Sequence, residues 1–178
     1  MRGQLLNRAR RWIRSPSDLQ LLGRMMLWAC CLPVLKRLMP LPMLVRLVRS
    51  RASGRGRQPG PDEQLVTFAR WSCRLTTSSR GNCLARGLVL YRYLGAVGAQ
   101  PELRVGFRRG DAGRVLGHAW VVVDGQPVGE DVTALAPFEV TVAFGPDGYA
   151  RRPMDARGYG AEPVARAPAA ESFSSSIV

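Results

Sequence analysis

The sequence predicts an α+β domain, in which one helix packs against a small antiparallel sheet, preceded by a basic helical segment. Apolar residues recur at helical spacing from Leu84 to Leu94. An Asp124-Gly125 pair farther along is a hairpin signal, which indicates that the runs on either side pair antiparallel. A helix followed by such strands is the pattern of an α+β fold. The runs with strand character cover 102–107, 116–123, 126–128 and 138–144.

Composition divides the 178 residues into four regions. Residues 1–60 carry thirteen Arg and Lys against one acid, whereas 61–178 carry thirteen against twelve. The net charge of +13 therefore belongs to the N-terminal segment, and it does not indicate that the α+β domain binds nucleic acid. The predicted regions are a basic helical segment (1–48), a Gly/Pro-rich linker (49–62), the α+β domain (63–146) and a tail expected to be disordered (147–178).

The N-terminal segment is predicted to form helices interrupted by prolines. The Ser15–Asp18 stretch is a typical helix start, and the helix is expected to run to about Cys31 and stop near Pro33. Short helices around Val34–Leu38 and Leu41–Val48 would follow. Neither an uninterrupted apolar run of about 18 residues nor a signal-peptide cleavage site is present, so we predict a cytoplasmic protein without a membrane span. Contact of the Leu- and Met-rich faces with a membrane or partner is the alternative to packing on the domain.

The sequence around three of the four cysteines does not indicate a chemical role for them. Cys30 and Cys31 are adjacent in the apolar helical run. Cys73 lies on the apolar side of a helix predicted over Glu63–Arg74, where we expect a buried small hydrophobe. The sequence contains neither a CxxC pair nor a histidine cluster, so neither a metal nor another cofactor is expected. The remaining cysteine is Cys83.

Cys83 and His118 have the settings of a nucleophile and its base. Cys83 opens the Leu-rich helix, where unpaired N–H groups and the helix dipole lower a thiol pKa and can stabilise an oxyanion. His118 is the only histidine, so any cysteine–histidine mechanism must use it. Glu130 and Asp131 follow it by twelve and thirteen residues, after the hairpin turn, and either could orient the imidazole.

Ordinary structural roles are the competing explanation. A cysteine in a Leu-rich helix more often packs than reacts, and Asn82 is more simply a helix N-cap than an oxyanion donor. The order of a cysteine at a helix start, a histidine at a strand start and an acid after a hairpin favours the catalytic interpretation.

Two motifs resemble a known family. Cys83-Leu84-Ala85-Arg86 before the Leu-rich helix, and Gly117-His118-Ala119-Trp120-Val121 before Asp124-Gly125, resemble the transglutaminase-like leader peptidases of lasso-peptide biosynthesis over about residues 63–140. The resemblance implies a papain-like cysteine endopeptidase that cuts the leader from a ribosomally made precursor through an acyl-thioester. It also implies three partners: the precursor peptide, a leader-recognition domain that is either fused or separate, and an ATP-dependent lasso cyclase. Residues 1–60 are helical and basic rather than a compact winged helix, so we expect a separate leader-recognition protein.

The chain departs from the family's pattern at two positions. Val122 stands where the family usually has Glu, and Glu130 stands where it usually has the Asp that orients the histidine. Either Glu130 replaces that Asp or a shift of one residue brings in Asp131, which its residue type slightly favours. Asn82, Arg86 and Trp120 are the candidates for substrate contact.

Two other functions remain open from the sequence. A transglutaminase-like enzyme would pass the acyl group to an amine instead of water. A basic module without catalysis would bind nucleic acid or an anionic membrane through residues 1–60. That second interpretation leaves the order of Cys83, His118 and the acids unexplained.

Overall fold

The computed structural model describes Ile13 and residues 15–50, 62–76, 83–110 and 114–152. The helices of these ranges are α1 (Pro16–Leu38), α2 (Leu41–Val48), α3 (Asp62–Thr76), α4 (Cys83–Ala96) and α5 (Val132–Leu135). The strands are β1 (Glu102–Arg109), β2 (Val115–Val123), β3 (Gln126–Pro127), β4 (Glu139–Phe144) and β5 (Ala150–Arg151). The four predicted strand runs correspond to β1–β4, and the predicted Leu-rich helix corresponds to α4.

The strands form one antiparallel sheet in the order β3-β2-β1-β4-β5, so the α+β prediction is confirmed. β1 and β2 pair along their whole length, from Glu102 opposite Val122 to Arg109 opposite Val115. The left-handed turn at Asp124-Gly125 (φ 50° and 80°) joins β2 to β3 as the hairpin signal predicted. The sheet therefore carries the histidine strand next to its centre.

The helix α4 lies close to the sheet because it has a glycine at the point of contact. A Cβ on Gly87 would lie 3.0 Å from Leu103 Cδ1 and 3.8 Å from the carbonyl oxygen of Ala119. Gly87 follows Cys83 by one helical turn. The missing side chain therefore brings the cysteine end of α4 near the histidine strand.

The N-terminal helices and the α+β elements share one hydrophobic core. From α1 the side chains of Met25, Ala29 and Leu32 are fully buried. Cys73 is buried in the same cluster, as predicted, and its burial raises the pKa of its thiol. The division at residues 48 and 62 remains a prediction, since 51–61, most of the predicted linker, lie outside the described residues.

Pro33 does not end the first helix. The prediction of a stop near Pro33 was wrong, because α1 continues through it to Leu38. A proline inside a helix removes one backbone hydrogen bond and crowds the preceding turn, but packing can offset that cost. Here Ala29 and Leu32, just before the proline, are held in the core. α1 is also long and apolar enough to cross a membrane, but helices buried in a protein core meet the same criterion.

Ordered structure extends beyond residue 146, where the tail was predicted to begin. β5 pairs with β4, Arg49 donates a hydrogen bond to the Asp147 carbonyl oxygen at 2.8 Å, and Tyr91 donates one to the Gly145 carbonyl oxygen at 2.6 Å. These contacts hold 145–152 against the helices. The rest of the predicted tail, 153–178, lies outside the described residues.

Candidate active site

The thiol of Cys83 lies beside the imidazole of His118 at the start of α4. The hydrogen bond with His118 is the largest influence on the pKa of Cys83 and lowers it, against the effect of burial. The backbone N–H groups of Ala119 and Leu84 lower the pKa further. The structure thus brings the predicted nucleophile and base together, in surroundings that favour the thiolate.

His118 lies in the first half of β2, opposite Gly106 of β1. Its ring centroid is 6.0 Å from that of Trp120, nearly parallel, and 5.3 Å from that of Phe138. Farther along, β3 pairs only with Val122 and Val123 of β2. The Ala119 N–H, on the part of β2 before this pairing, is therefore available to the Cys83 thiol.

Glu130 is the acid next to the histidine. Its Oε1 lies 3.7 Å from Nε2 of His118, an ion-pair distance that is longer than a tight hydrogen bond. The pKa of His118 is raised to about 9. Cys83 contributes most to this rise and Glu130 contributes next, while burial lowers the pKa. Burial raises the pKa of the Glu130 carboxyl, but His118 and Arg86 outweigh it and the net change is downward. Glu130 is therefore an anion that favours the charged imidazole.

Asp131 has a different role from the one that its residue type suggested. It is the N-cap of α5, and its carboxylate accepts a 3.0 Å hydrogen bond from the N–H of Thr133. The hydrogen bond of the Thr133 side chain, and after it that of the Thr133 N–H, lowers the pKa of Asp131. The slight preference for Asp131 did not take this cap into account, because α5 is a single short turn without strong periodicity and the sequence did not show that Asp131 would cap it.

Arg86 contacts the acid rather than an open surface. Its guanidinium forms an ion pair with Oε1 of Glu130, the same oxygen that faces His118. Arg86 follows Cys83 by three residues, so both side chains lie on one side of α4. Arg86, which the sequence made a candidate for substrate contact, therefore supports Glu130 instead.

The loop that carries Glu130 is held by residues that the sequence did not single out. Arg70 of α3 donates a hydrogen bond to the carbonyl oxygen of Gly129, and the N–H of Val128 donates one to Val121 at 2.9 Å. Gly129 has a φ of +71°, and a Cβ there would lie 2.6 Å from Cγ1 of Val66. The glycine at position 129 could have indicated a tight loop from the sequence. No local pattern could have indicated the contact of Arg70, because its partner is 59 residues away.

Trp120 and Asn82 complete the set of sequence candidates. Trp120 is buried, and its ring is 3.0 Å from the position of a Cβ on Gly106, so it forms a wall beside His118 rather than an exposed contact surface. Phe138, which the sequence placed only in a strand, forms the neighbouring part of that wall. Asn82 lies outside the described residues.

The described residues of the site offer no ligand set for a metal. Within 15–50, 62–76, 83–110 and 114–152, no group of three or more His, Cys, Asp and Glu side chains could hold an ion. None of the four cysteines is in a disulfide. The chemistry available to these residues is that of a thiolate paired with an imidazolium.

A thiol at a helix start, an imidazole on an antiparallel strand and a carboxylate behind it define a cysteine-based acyl-transfer site. A family profile described as the transglutaminase-like superfamily matches residues 28–143, well over half of the chain. The chain belongs to this superfamily, whose members are typically cysteine-based peptidases or transglutaminases. The match begins within α1 and ends in β4, so it includes the whole Cys83, His118 and Glu130 site. No curated protein and no solved structure matches the chain significantly.

Proposed function

We propose that the protein is a cysteine endopeptidase that removes the leader from a lasso-peptide precursor. The observation that carries the enzymatic part is that His118 contacts both the Cys83 thiol and the Glu130 carboxylate. The match to a superfamily of cysteine-based enzymes supports the same chemistry. The substrate rests on the resemblance of the Cys83–Arg86 and Gly117–Val121 motifs to lasso leader peptidases.

The first half of the reaction forms a thioester. Cys83 attacks the scissile carbonyl carbon as the thiolate, and the N–H groups in the first turn of α4 stabilise the oxyanion. Since Nε2 of His118 faces Glu130, Nδ1 is the nitrogen that exchanges the proton with the thiol. When the tetrahedral intermediate collapses, His118 gives this proton to the leaving amine and the C–N bond breaks.

The second half returns the enzyme to its starting state. Neutral His118 accepts a proton from water, whose oxygen attacks the thioester carbon. The C–S bond breaks, the leader leaves with a new carboxyl terminus, and the thiolate and the imidazolium form again. Glu130 keeps its charge throughout and stabilises the imidazolium, and Arg86 holds that carboxylate in place.

The partners of this reaction are also part of the proposal. They are a separate recognition protein that presents the leader and an ATP-dependent cyclase that closes the ring of the released core. The described part of residues 1–60 supports a separate recognition protein, because α1 and α2 pack into the hydrophobic core of this domain. We place the reaction in the cytoplasm, where the precursor is made.

The test uses the full chain with the precursor and the recognition protein, and mass spectrometry of the products. Cys83→Ala and His118→Ala should each abolish leader release, and Cys31→Ala, which removes an exposed thiol of α1, should leave it unchanged. Release at the wild-type rate by both site variants would overturn the assignment.

The superfamily match favours one alternative, in which an amine takes the acyl group from the thioester. The same residues serve both reactions, so these variants do not separate them. The products do, because hydrolysis gives a free carboxylic acid, whereas transfer gives an adduct that contains the added amine. An adduct formed with supplied alkylamines, without any hydrolysed leader, would favour the transferase.

A further inference from the structure

The outer face of α1 carries a stripe of exposed apolar side chains. Leu27, Val34 and Leu38 are 65%, 58% and 74% exposed. Their spacings of seven and four residues put them on one face of the helix. Cys30 and Cys31, between Leu27 and Val34, are exposed too. This outer face therefore has apolar or thiol side chains over about three turns, from Leu27 to Leu38.

The opposite face of the same helix is also apolar, since Met25, Ala29 and Leu32 are fully buried in the core. A helix that is apolar on both faces needs a second apolar environment for the face that its own domain does not cover. The next helix repeats the pattern, with Met43 and Leu47 of α2 60% and 48% exposed one turn apart. We call the three exposed side chains of α1, Leu27, Val34 and Leu38, the outer apolar surface.

Basic side chains accompany the outer apolar surface. Arg24 and Arg37 flank the stripe on α1, and Arg46 lies on α2; all three side chains are exposed. The whole of residues 1–60 holds thirteen basic side chains against one acid. Exposed leucines among uncompensated cations are the composition of a helix that lies in the headgroup region of a membrane.

We infer that the outer apolar surface binds the surface of an anionic lipid bilayer, with α1 lying in the interface. Exposed Leu27, Val34 and Leu38 would enter the acyl boundary, and the cations would meet the anionic headgroups. α1 does not cross the bilayer, because crossing would pull Met25, Ala29 and Leu32 out of the core.

Charge distinguishes the bilayer from other occupants of this face. A second copy would bring another chain of net charge +13, and the two cationic surfaces would repel each other. Nucleic acid would match the charge but would leave Leu27, Val34 and Leu38 without an apolar partner. An anionic bilayer satisfies both the charge and the apolar surface.

The test is co-sedimentation of the full chain with two kinds of vesicle, phosphatidylcholine alone and phosphatidylcholine mixed equally with phosphatidylglycerol. The wild type should bind the anionic vesicles and release them as salt rises. Leu27→Gln/Val34→Gln/Leu38→Gln should weaken this binding at least about tenfold, because these side chains lose their apolar burial. Arg24→Gln/Arg37→Gln should weaken it about twenty-fivefold, since each charge contributes about a factor of five at an anionic surface.

The chain offers a matched control for the apolar variant. Leu75, Val115 and Val132 are 70%, 68% and 59% exposed but lie outside the N-terminal helices. Leu75→Gln/Val115→Gln/Val132→Gln should bind anionic vesicles like the wild type. All variants replace exposed side chains, and their thermal unfolding should match that of the wild type. None of these readouts depends on peptidase activity, so failure of the proposed function leaves this test intact.

A polarity-sensitive fluorophore on Cys31, in a chain with Cys30→Ser and Cys83→Ala, gives a second measurement. Its emission should shift to the blue when anionic vesicles are added. Equal binding by the wild type and the apolar variant, or no spectral shift, would overturn the inference. So would a wild-type dimer that the apolar substitutions dissociate while vesicle binding stays unchanged.

Discussion

Arg86 and His118 meet the same carboxylate oxygen, Oε1 of Glu130, from two sides. Arg86 belongs to the helix of the nucleophile, and His118 belongs to the strand of the base. Glu130 therefore links the two elements that the reaction must keep in register. This arrangement makes Arg86 a positioning residue, which acts on the histidine through Glu130.

Replacing Arg86 tests this positioning. Arg86→Gln should lower kcat/KM by about tenfold, because Glu130 loses a charged partner at a partly buried site. It should also raise the pKa of the Glu130 carboxyl, which the charge of Arg86 keeps down, so that loss of the Glu130 anion adds to loss of the Cys83 thiolate on the acid limb of the pH profile. Arg104→Gln is the matched control, because it breaks a similarly exposed ion pair, with Glu102, elsewhere in the sheet. Equal effects from both variants would contradict the role of Arg86.

The two neighbouring acids should behave differently. Glu130→Gln should lower kcat by about a hundredfold or more, because the imidazolium loses the anion that stabilises it. Asp131→Asn should keep nearly full activity, because asparagine is an equally good N-cap for α5. Steady-state kinetics of the two variants decide between the acids. A larger loss from Asp131→Asn would reverse the assignment.

The pH profile of kcat/KM should extend to alkaline pH. The pKa of His118 is raised to about 9, so the imidazolium persists well above the ordinary range of histidine. The pKa of Cys83 is lowered from 9.0, so the thiolate is present below that pH. Activity should rise as the thiolate forms and fall as the pH passes about 9, where His118 loses the proton that the leaving amine needs. Glu130→Gln should move the alkaline limb to lower pH, and a limb that stays in place would argue against the pairing.

Gly129 should be more sensitive to alanine than other glycines. Gly129→Ala strains a left-handed backbone and puts a methyl group against Val66, so the melting temperature and kcat/KM should both fall. Gly23→Ala is the control, because a Cβ there meets nothing within 4 Å and alanine favours the helix. Adding Val66→Ala to Gly129→Ala should recover part of the activity. Wild-type activity of Gly129→Ala alone would show that the loop needs no glycine.

Removing residues 1–61 should unfold the α+β domain. The deletion strips Met25, Ala29 and Leu32 from the shared core and leaves their partners exposed to water. Circular dichroism should show loss of the cooperative thermal transition. A cooperative transition in the shortened chain would instead support an independent domain over 63–146.

Sequence periodicity was sufficient to predict the helices and strands that are long or strongly patterned. α4, β1, β2 and β4 appear within a residue or two of their predicted bounds, because alternation and helical spacing reflect the faces that these elements bury. The single turn of α5 and the two-residue β5 escaped prediction. Their stability comes from a cap at Asp131 and from pairing with β4 rather than from their own pattern.

The site was predictable where chemistry restricts the choice of residue and uncertain where only geometry decides. Cys83 and His118 followed from their residue types and places in the elements. The choice of Glu130 over Asp131 depended on which way the chain turns after Gly129. The contact of Arg86 with Glu130 spans 44 residues, and a single sequence carries no local signal for such a pair.

The adjacent thiols of Cys30 and Cys31 have a practical consequence for handling the protein. They lie on the exposed face of α1, while Cys73 is buried and Cys83 is half-buried, so air oxidation can cross-link two chains through α1. Such dimers would appear on a non-reducing gel and vanish with dithiothreitol. A Cys30→Ser/Cys31→Ser background would leave Cys83 as the accessible thiol, so that alkylation stoichiometry could count working sites.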